Sequence, residues 1–118
     1  MGTRTDQLNN FLNGLKEMGS EAPGAVGAFM GLLKGCYAPG ALDLKTKELI
    51  SVAIGCYNRC QYCIVYHAYE AIKAGATRAE IIDAAMVAVA FGGGPSMAYS
   101  VTVLKETLDE FGEGSVVG

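Results

Sequence analysis

From Ala84 to Leu104 the chain carries no charged residue, so any fold must shield that stretch from water. Its length is that of a membrane span. The run Gly92-Gly93-Gly94-Pro95 interrupts it, and a proline removes a backbone donor and clashes with the preceding helical turn. Two core helices are therefore expected: one from a capping box at Thr77-Arg78-Ala79-Glu80 through Phe91, one from Pro95 or Ser96 to near Gly112. Elsewhere no strict alternation marks a strand, and Gly or Pro falls at helix-sized intervals. Leu8, Phe11, Leu12, Leu15 and Met18 share one face of a first helix ending at Gly19. A second helix starts around Ser20 to Pro23, carries Val26, Phe29, Met30, Leu33 and Cys36, and stops near Pro39-Gly40. Gly27, Gly31 and Gly35 recur along it, read as close helix packing rather than a ligand surface. Asp43 caps a third helix, Lys45 to Tyr57, with Leu49, Ile50, Ala53, Ile54 and Tyr57 apolar. A fourth runs from Cys60 to Ala74, with Gly75 as its stop. The expectation is one all-α domain of about six helices over residues 1–118, with a frayed tail at 113–118.

What covers such a domain is a question of composition. Hydrophobic residues make up 51% and charged residues 18%, against a usual share of about 25% charged. Apolar area is then expected to be buried between subunits of a homo-oligomer. With 9 basic and 12 acidic residues the net charge is −3, and Lys and Arg form no cluster. Nucleic-acid binding, which needs phosphate contacts, is disfavoured. Met1 to Asp6 has no apolar run of a secretory leader, and Asp6 stands where N-myristoylation wants Ser or Thr. A cytoplasmic protein that neither spans nor binds a membrane is expected.

Four cysteines without an export signal do not suggest a structural disulfide framework. Cys36 reads as a core residue, and Cys56 continues the stripe Leu49, Ala53 as a buried thiol. Cys60-Gln61-Tyr62-Cys63 is different: a CxxC at a helix start, where free N–H groups and the positive dipole end favour a thiolate. His67, the chain's single histidine, follows four residues after Cys63, so Cys60, Cys63 and His67 lie along one helical face. An imidazole there can take a thiol proton directly or through a water. Its orienting carboxylate is either Glu70, three residues on, or Glu48 on the preceding, antiparallel helix. A closed zinc site wants four ligands, commonly from two separated pairs, and no second pair exists. Cys56-x3-Cys60-x2-Cys63 resembles in its text the iron–sulfur motif of radical S-adenosylmethionine enzymes. Those enzymes resemble much longer partial α/β barrels, so no metal and no cofactor is expected. Gly92-Gly93-Gly94-Pro95 lacks the Lys and strand context of a phosphate-cradling loop.

Together these residues complete Glu48-x11-Cys60-x2-Cys63-x3-His67. The pattern resembles the alkyl hydroperoxidase D-like group within the carboxymuconolactone decarboxylase family, over a core from Lys45 to Leu104. The resemblance implies an all-helical trimer or hexamer and a dithiol oxidoreductase. In it Glu48 and His67 relay protons, through a water, to Cys60 and Cys63, which attack a peroxide or disulfide and close on each other. An external dithiol protein or lipoyl group resets the pair. The relay points to Cys63 as the attacking thiol and the helix start points to Cys60; the order stays open. Peroxidase-active members often carry histidine where Tyr62 stands, and a phenol is a poor base near neutral pH. Disulfide exchange is less affected by that change. Tyr62 and Tyr66 are candidate site-lining residues, while packing is the simpler role for Tyr66 and Tyr69. Two alternatives remain: a carboxymuconolactone decarboxylase-like lyase, which needs no CxxC, and a non-catalytic, redox-responsive oligomeric protein.

Overall fold

The computed structural model describes residues 2–112, and the frayed tail expected at 113–118 lies outside them. Helix α1, Thr3–Glu21, begins at Gly2, which has no side chain to cap it. Glu110, near the end of the last described helix, supplies the missing acceptor, taking hydrogen bonds from the backbone N–H of Arg4 (3.2 Å) and Thr5 (2.8 Å). Expected to end at Gly19, α1 instead runs through it to Glu21. The break falls at Ala22 (φ −131°, ψ 63°) because the next residue is Pro23, whose ring disfavours helical geometry in the residue before it. Helix α2, Pro23–Tyr37, then starts on that proline.

Helix α3, Leu44–Asn58, is capped by Asp43, whose side chain accepts from the Thr46 N–H at 2.8 Å. It turns into α4, Gln61–Lys73, through Arg59 in the left-handed region (φ 55°) and Cys60. The two helices press closely: a Cβ on Gly55 would meet the backbone N of Ile64 at 3.2 Å. Helix α4 closes with paired bonds from Gly75 N–H to Ile72 C=O and from Ala76 N–H to Ala71 C=O, the Schellman pattern. Thr77 and Glu80 cap α5, Arg78–Tyr99, by the reciprocal bonds of a capping box (3.1 and 2.9 Å).

The glycine run does not separate two helices by a loop. Gly93 alone is non-helical (φ 62°, ψ −140°), a backbone that favours glycine, and it kinks α5. Pro95 lies within α5, which continues through a π-helical turn, Ser100–Leu104, into α6, Lys105–Phe111. Counted as one run, Arg78–Phe111 makes the described domain five-helical, and it contains no strand among the described residues. That run is long and apolar enough to cross a membrane by length and composition alone. One side of it, with Ile81, Ala85, Val103, Leu104 and Leu108, is buried against Val52, Cys56, Ile64, Val65 and Leu8.

Helix α2 departs most from expectation. None of its residues is buried: Phe29 and Met30 are 44% exposed, Leu32 is 61% exposed, and Cys36 is exposed rather than core. Among the described residues, nothing beyond the helix's own backbone lies within 4 Å of a Cβ built on Gly27, Gly31 or Gly35, so the expected close packing is not made among them. A glycine pattern states that a close approach is permitted, not that a partner is present.

Candidate active site

Cys60 sits in the N-cap position of α4, where its Sγ accepts from the Cys63 N–H at 3.3 Å. A sulfur replaces the usual cap oxygen, and the two cysteines are joined as a disulfide with Cα atoms 5.2 Å apart. Both are partly exposed. The x positions of the motif are held unequally. Gln61 accepts from Arg4 Nη1 and Gln7 Nε2, each at 3.1 Å, which ties the start of α4 to α1. Tyr62 is 45% exposed and meets Phe11 of α1, ring centroids 6.3 Å apart. With Phe11, Leu15, Met18 and Val26 it lines an apolar groove of about 330 Å³ beside the disulfide.

One turn beyond Cys63, His67 Nδ1 lies 2.7 Å from Glu48 Oε1. Glu48 is only 4% exposed, on the inner face of α3. Glu70, the other candidate orienting carboxylate, pairs with Lys73 at 2.9 Å. With Glu48 as an ionised carboxylate, which can only accept, the shared hydrogen sits on His67 Nδ1, and in a neutral ring that leaves Nε2 as the acceptor. Antiparallel packing of α3 against α4 thus completes what the helical face of Cys60, Cys63 and His67 begins.

Two tyrosines enclose the imidazole. Tyr66 meets it edge-on at 5.0 Å, and Tyr37, from the end of α2, lies nearly parallel to it at 5.5 Å. Burial pushes the Tyr66 hydroxyl above the ordinary phenol range, with the charges of Glu70 and Glu48 adding to it. Tyr66 therefore stands beside the imidazole as a neutral wall. Tyr37, Glu48, Tyr66, Glu70 and Lys34 are among the residues around a pocket of about 220 Å³ that reaches the buried carboxylate. Tyr37 is the site residue sequence reasoning missed: it stands far from the motif, in a helix whose other residues, Lys34 apart, are apolar or small. Tyr69 instead packs on Phe111 at 5.8 Å, a core contact.

Cys56 is wholly buried, and burial raises its thiol pKa, a state of low reactivity. Among the described residues, no three His, Cys, Asp or Glu side chains converge as a metal-binding group.

Comparison with known proteins decides the family. The model of the carboxymuconolactone decarboxylase family matches residues 23–106. The chain belongs to that family. A family protein from Legionella pneumophila superposes with a TM-score of 0.88 at 34% identity, over 93% of this chain and 97% of that one. Another from Thermotoga maritima gives 0.73 at 29% identity, over 92% and 98%. An uncharacterised protein of Cupriavidus necator is 31% identical over 102 residues, 86% of this chain and 88% of its own. An uncharacterised protein of the Paracoccus denitrificans cox locus is 40% identical over 83 residues, 70% and 74%.

Proposed function

We propose that this family member is a dithiol oxidoreductase whose working groups are Cys60, Cys63, His67 and Glu48. The observation that carries this reading is a disulfide at the start of α4, one turn before an imidazole bonded to a buried carboxylate. In the reduced protein one cysteine gives its proton to His67 Nε2, directly or through a water, while Glu48 holds the resulting imidazolium. With a peroxide, the thiolate attacks oxygen, the O–O bond breaks, and the departing oxygen takes up a proton as water or an alcohol. The sulfenic acid left behind is displaced by the second cysteine, releasing water and forming Cys60–Cys63. With a disulfide substrate, the thiolate forms a mixed disulfide, which the second cysteine resolves to release the reduced substrate. A dithiol donor, a protein or a lipoyl group, then reopens the pair and leaves as its own disulfide.

The N-cap hydrogen bond favours Cys60 as the stabilised thiolate, and the relay favours Cys63 as the thiol it deprotonates. The Thermotoga maritima relative is described as a candidate for involvement in an antioxidative response, which agrees with this chemistry. Tyr62 in place of histidine weights the reading toward disulfide exchange.

The working form in this proposal is a cytoplasmic homo-oligomer, trimer or hexamer. Ile50, Ile54, Tyr57, Val87 and Phe91 line an open apolar groove of about 430 Å³ between α3 and α5, with Phe91 81% exposed. So large an apolar surface is suited to a second subunit.

The deciding experiment is mass spectrometry of alkylated peptides from anaerobically purified protein, after stoichiometric peroxide and then after excess dithiol. Pairing of Cys60 with Cys63 on oxidation and reopening on reduction supports the reading; free thiols throughout reject it. The family description favours a second reading, a lactone decarboxylase that uses Glu48 and His67 without the thiols. A Cys60→Ser, Cys63→Ser double variant would keep such an activity and lose every thiol-dependent one.

A further inference from the structure

Tyr37 reaches the site from α2, the helix with no fully buried residue, and it is held at several points. Lys47 Nζ donates to the carbonyls of Cys36 (3.0 Å) and Ala38 (2.6 Å), fastening the C-terminal end of α2 to α3. One turn along α3, Ser51 donates its hydroxyl hydrogen to the Lys47 carbonyl at 2.8 Å. A serine hydroxyl has one hydrogen, so Ser51 Oγ receives the bond it shares with Tyr37, and the phenol is the donor. That direction requires a protonated phenol, and burial, the main influence on Tyr37, raises its pKa accordingly. The ring so fixed lies over His67 with 5.5 Å between centroids and 22° between planes. Tyr66 adjoins His67 in sequence and moves with α4, so it cannot restrain the imidazole relative to α3. Tyr37 can, because its tether is on the same helix as Glu48.

We propose that Tyr37 is a positioning residue for the relay: the clamp of Lys47, Ser51 and Tyr37 holds the His67 ring in the orientation that keeps Nδ1 on Glu48 and leaves Nε2 for the cysteines. The catalytic part of this rests on the dithiol reading; the orientation of the ring does not. With a single histidine in the chain, the imidazole nitrogens can be followed without ambiguity by ¹⁵N NMR at about pH 8.5, above the ordinary imidazole range. In parallel, dithiothreitol is used to open Cys60–Cys63 to two thiols while it closes to its own cyclic disulfide, and the rate is recorded.

Wild-type protein should show the Nδ1–H tautomer alone. Tyr37→Leu should mix the two tautomers and slow disulfide opening by about tenfold, the scale on which misplaced catalytic groups lose rate. Tyr37→Phe keeps the ring but loses the bond to Ser51, so it should show some of the second tautomer and a rate between those of wild type and Tyr37→Leu. Ser51→Ala, which touches neither His67 nor Glu48, should show some of the second tautomer and an intermediate rate, and it decides the matter if Tyr37→Leu fails to fold. An unchanged tautomer in Ser51→Ala and in folded Tyr37→Leu overturns the proposal. So does a slower rate with an unchanged tautomer, or a changed tautomer with an unchanged rate. Failure of the dithiol reading would appear elsewhere, as cysteines that stay free under peroxide in peptide mapping of the wild type.

Discussion

The two sides of α3 reverse the usual distribution of residues. The inner side carries Glu48 and Ser51, at 4% and 8% exposure, beside Val52, Gly55 and Cys56. The outer side carries Ile50, Ile54 and Tyr57, at 44%, 53% and 52%. A buried carboxylate is costly unless it is hydrogen-bonded or paired, and here His67 provides the bond. An exposed row of large apolar side chains is costly until something covers it. In the proposed reading the inner side gives up stability for chemistry, and the outer side is the apolar surface proposed for association. One helix thereby links the candidate relay to the candidate subunit interface.

The largest break in this comparison would come from Glu48→Gln, which keeps the shape of the inner side and removes its charge. The rate of the Cys60–Cys63 cycle should fall about 100-fold, within the usual contribution of a positioned acid–base system. A loss under twofold in stopped-flow measurements would mean that the buried pair is structural. On the outer side, Phe91→Glu places a charge on the groove's most exposed ring and should weaken self-association about 30-fold or more, measured by light scattering across a dilution series. An unchanged mass at every concentration would leave the outer side without its assigned role.

Stability measurements sharpen the same contrast. Val52→Ala empties fully buried space and should cost about 2 kcal/mol. Ile54→Ala should cost less than about 0.5 kcal/mol in a subunit kept monomeric by Phe91→Glu. Denaturant midpoints that fall equally would erase the difference between the sides. The smallest effect concerns Asp109, whose carboxyl is held below its ordinary value by its hydrogen bonds to Lys105 and then to Arg78. Because the folded pKa is the lower one, this contribution is present above the unfolded carboxylate range near about pH 4 and is lost as pH falls through the folded value. Asp109→Asn should therefore lower Tm slightly at neutral pH, and the difference from wild type should vanish in acid.

Much of the fold was legible from single residues acting locally. Asp43 as a cap, the box of Thr77 and Glu80, and Gly75 as a stop are all satisfied within one turn of the chain, so neighbouring sequence is enough to specify them. Gly19 misled because a glycine weakens a helix without ending it, whereas Pro23 constrains the residue before it sterically. The glycine run kinks α5 instead of splitting it, since Gly93 alone takes a non-helical conformation.

The sequence by itself determined the helical character of the described residues and put Cys63 and His67 on one face of α4 with Cys60 at its start, because spacing along a helix is set by its backbone hydrogen bonds. Tertiary structure alone decided that Tyr37 lies over the ring and that Cys36 stays in solvent, and it brought to His67 the Glu48 that the motif resemblance implies, not Glu70. These outcomes depend on which sides of α2, α3 and α4 meet. Burial of apolar surface settles that for the whole chain at once, and it is non-directional, so no short stretch of residues records it.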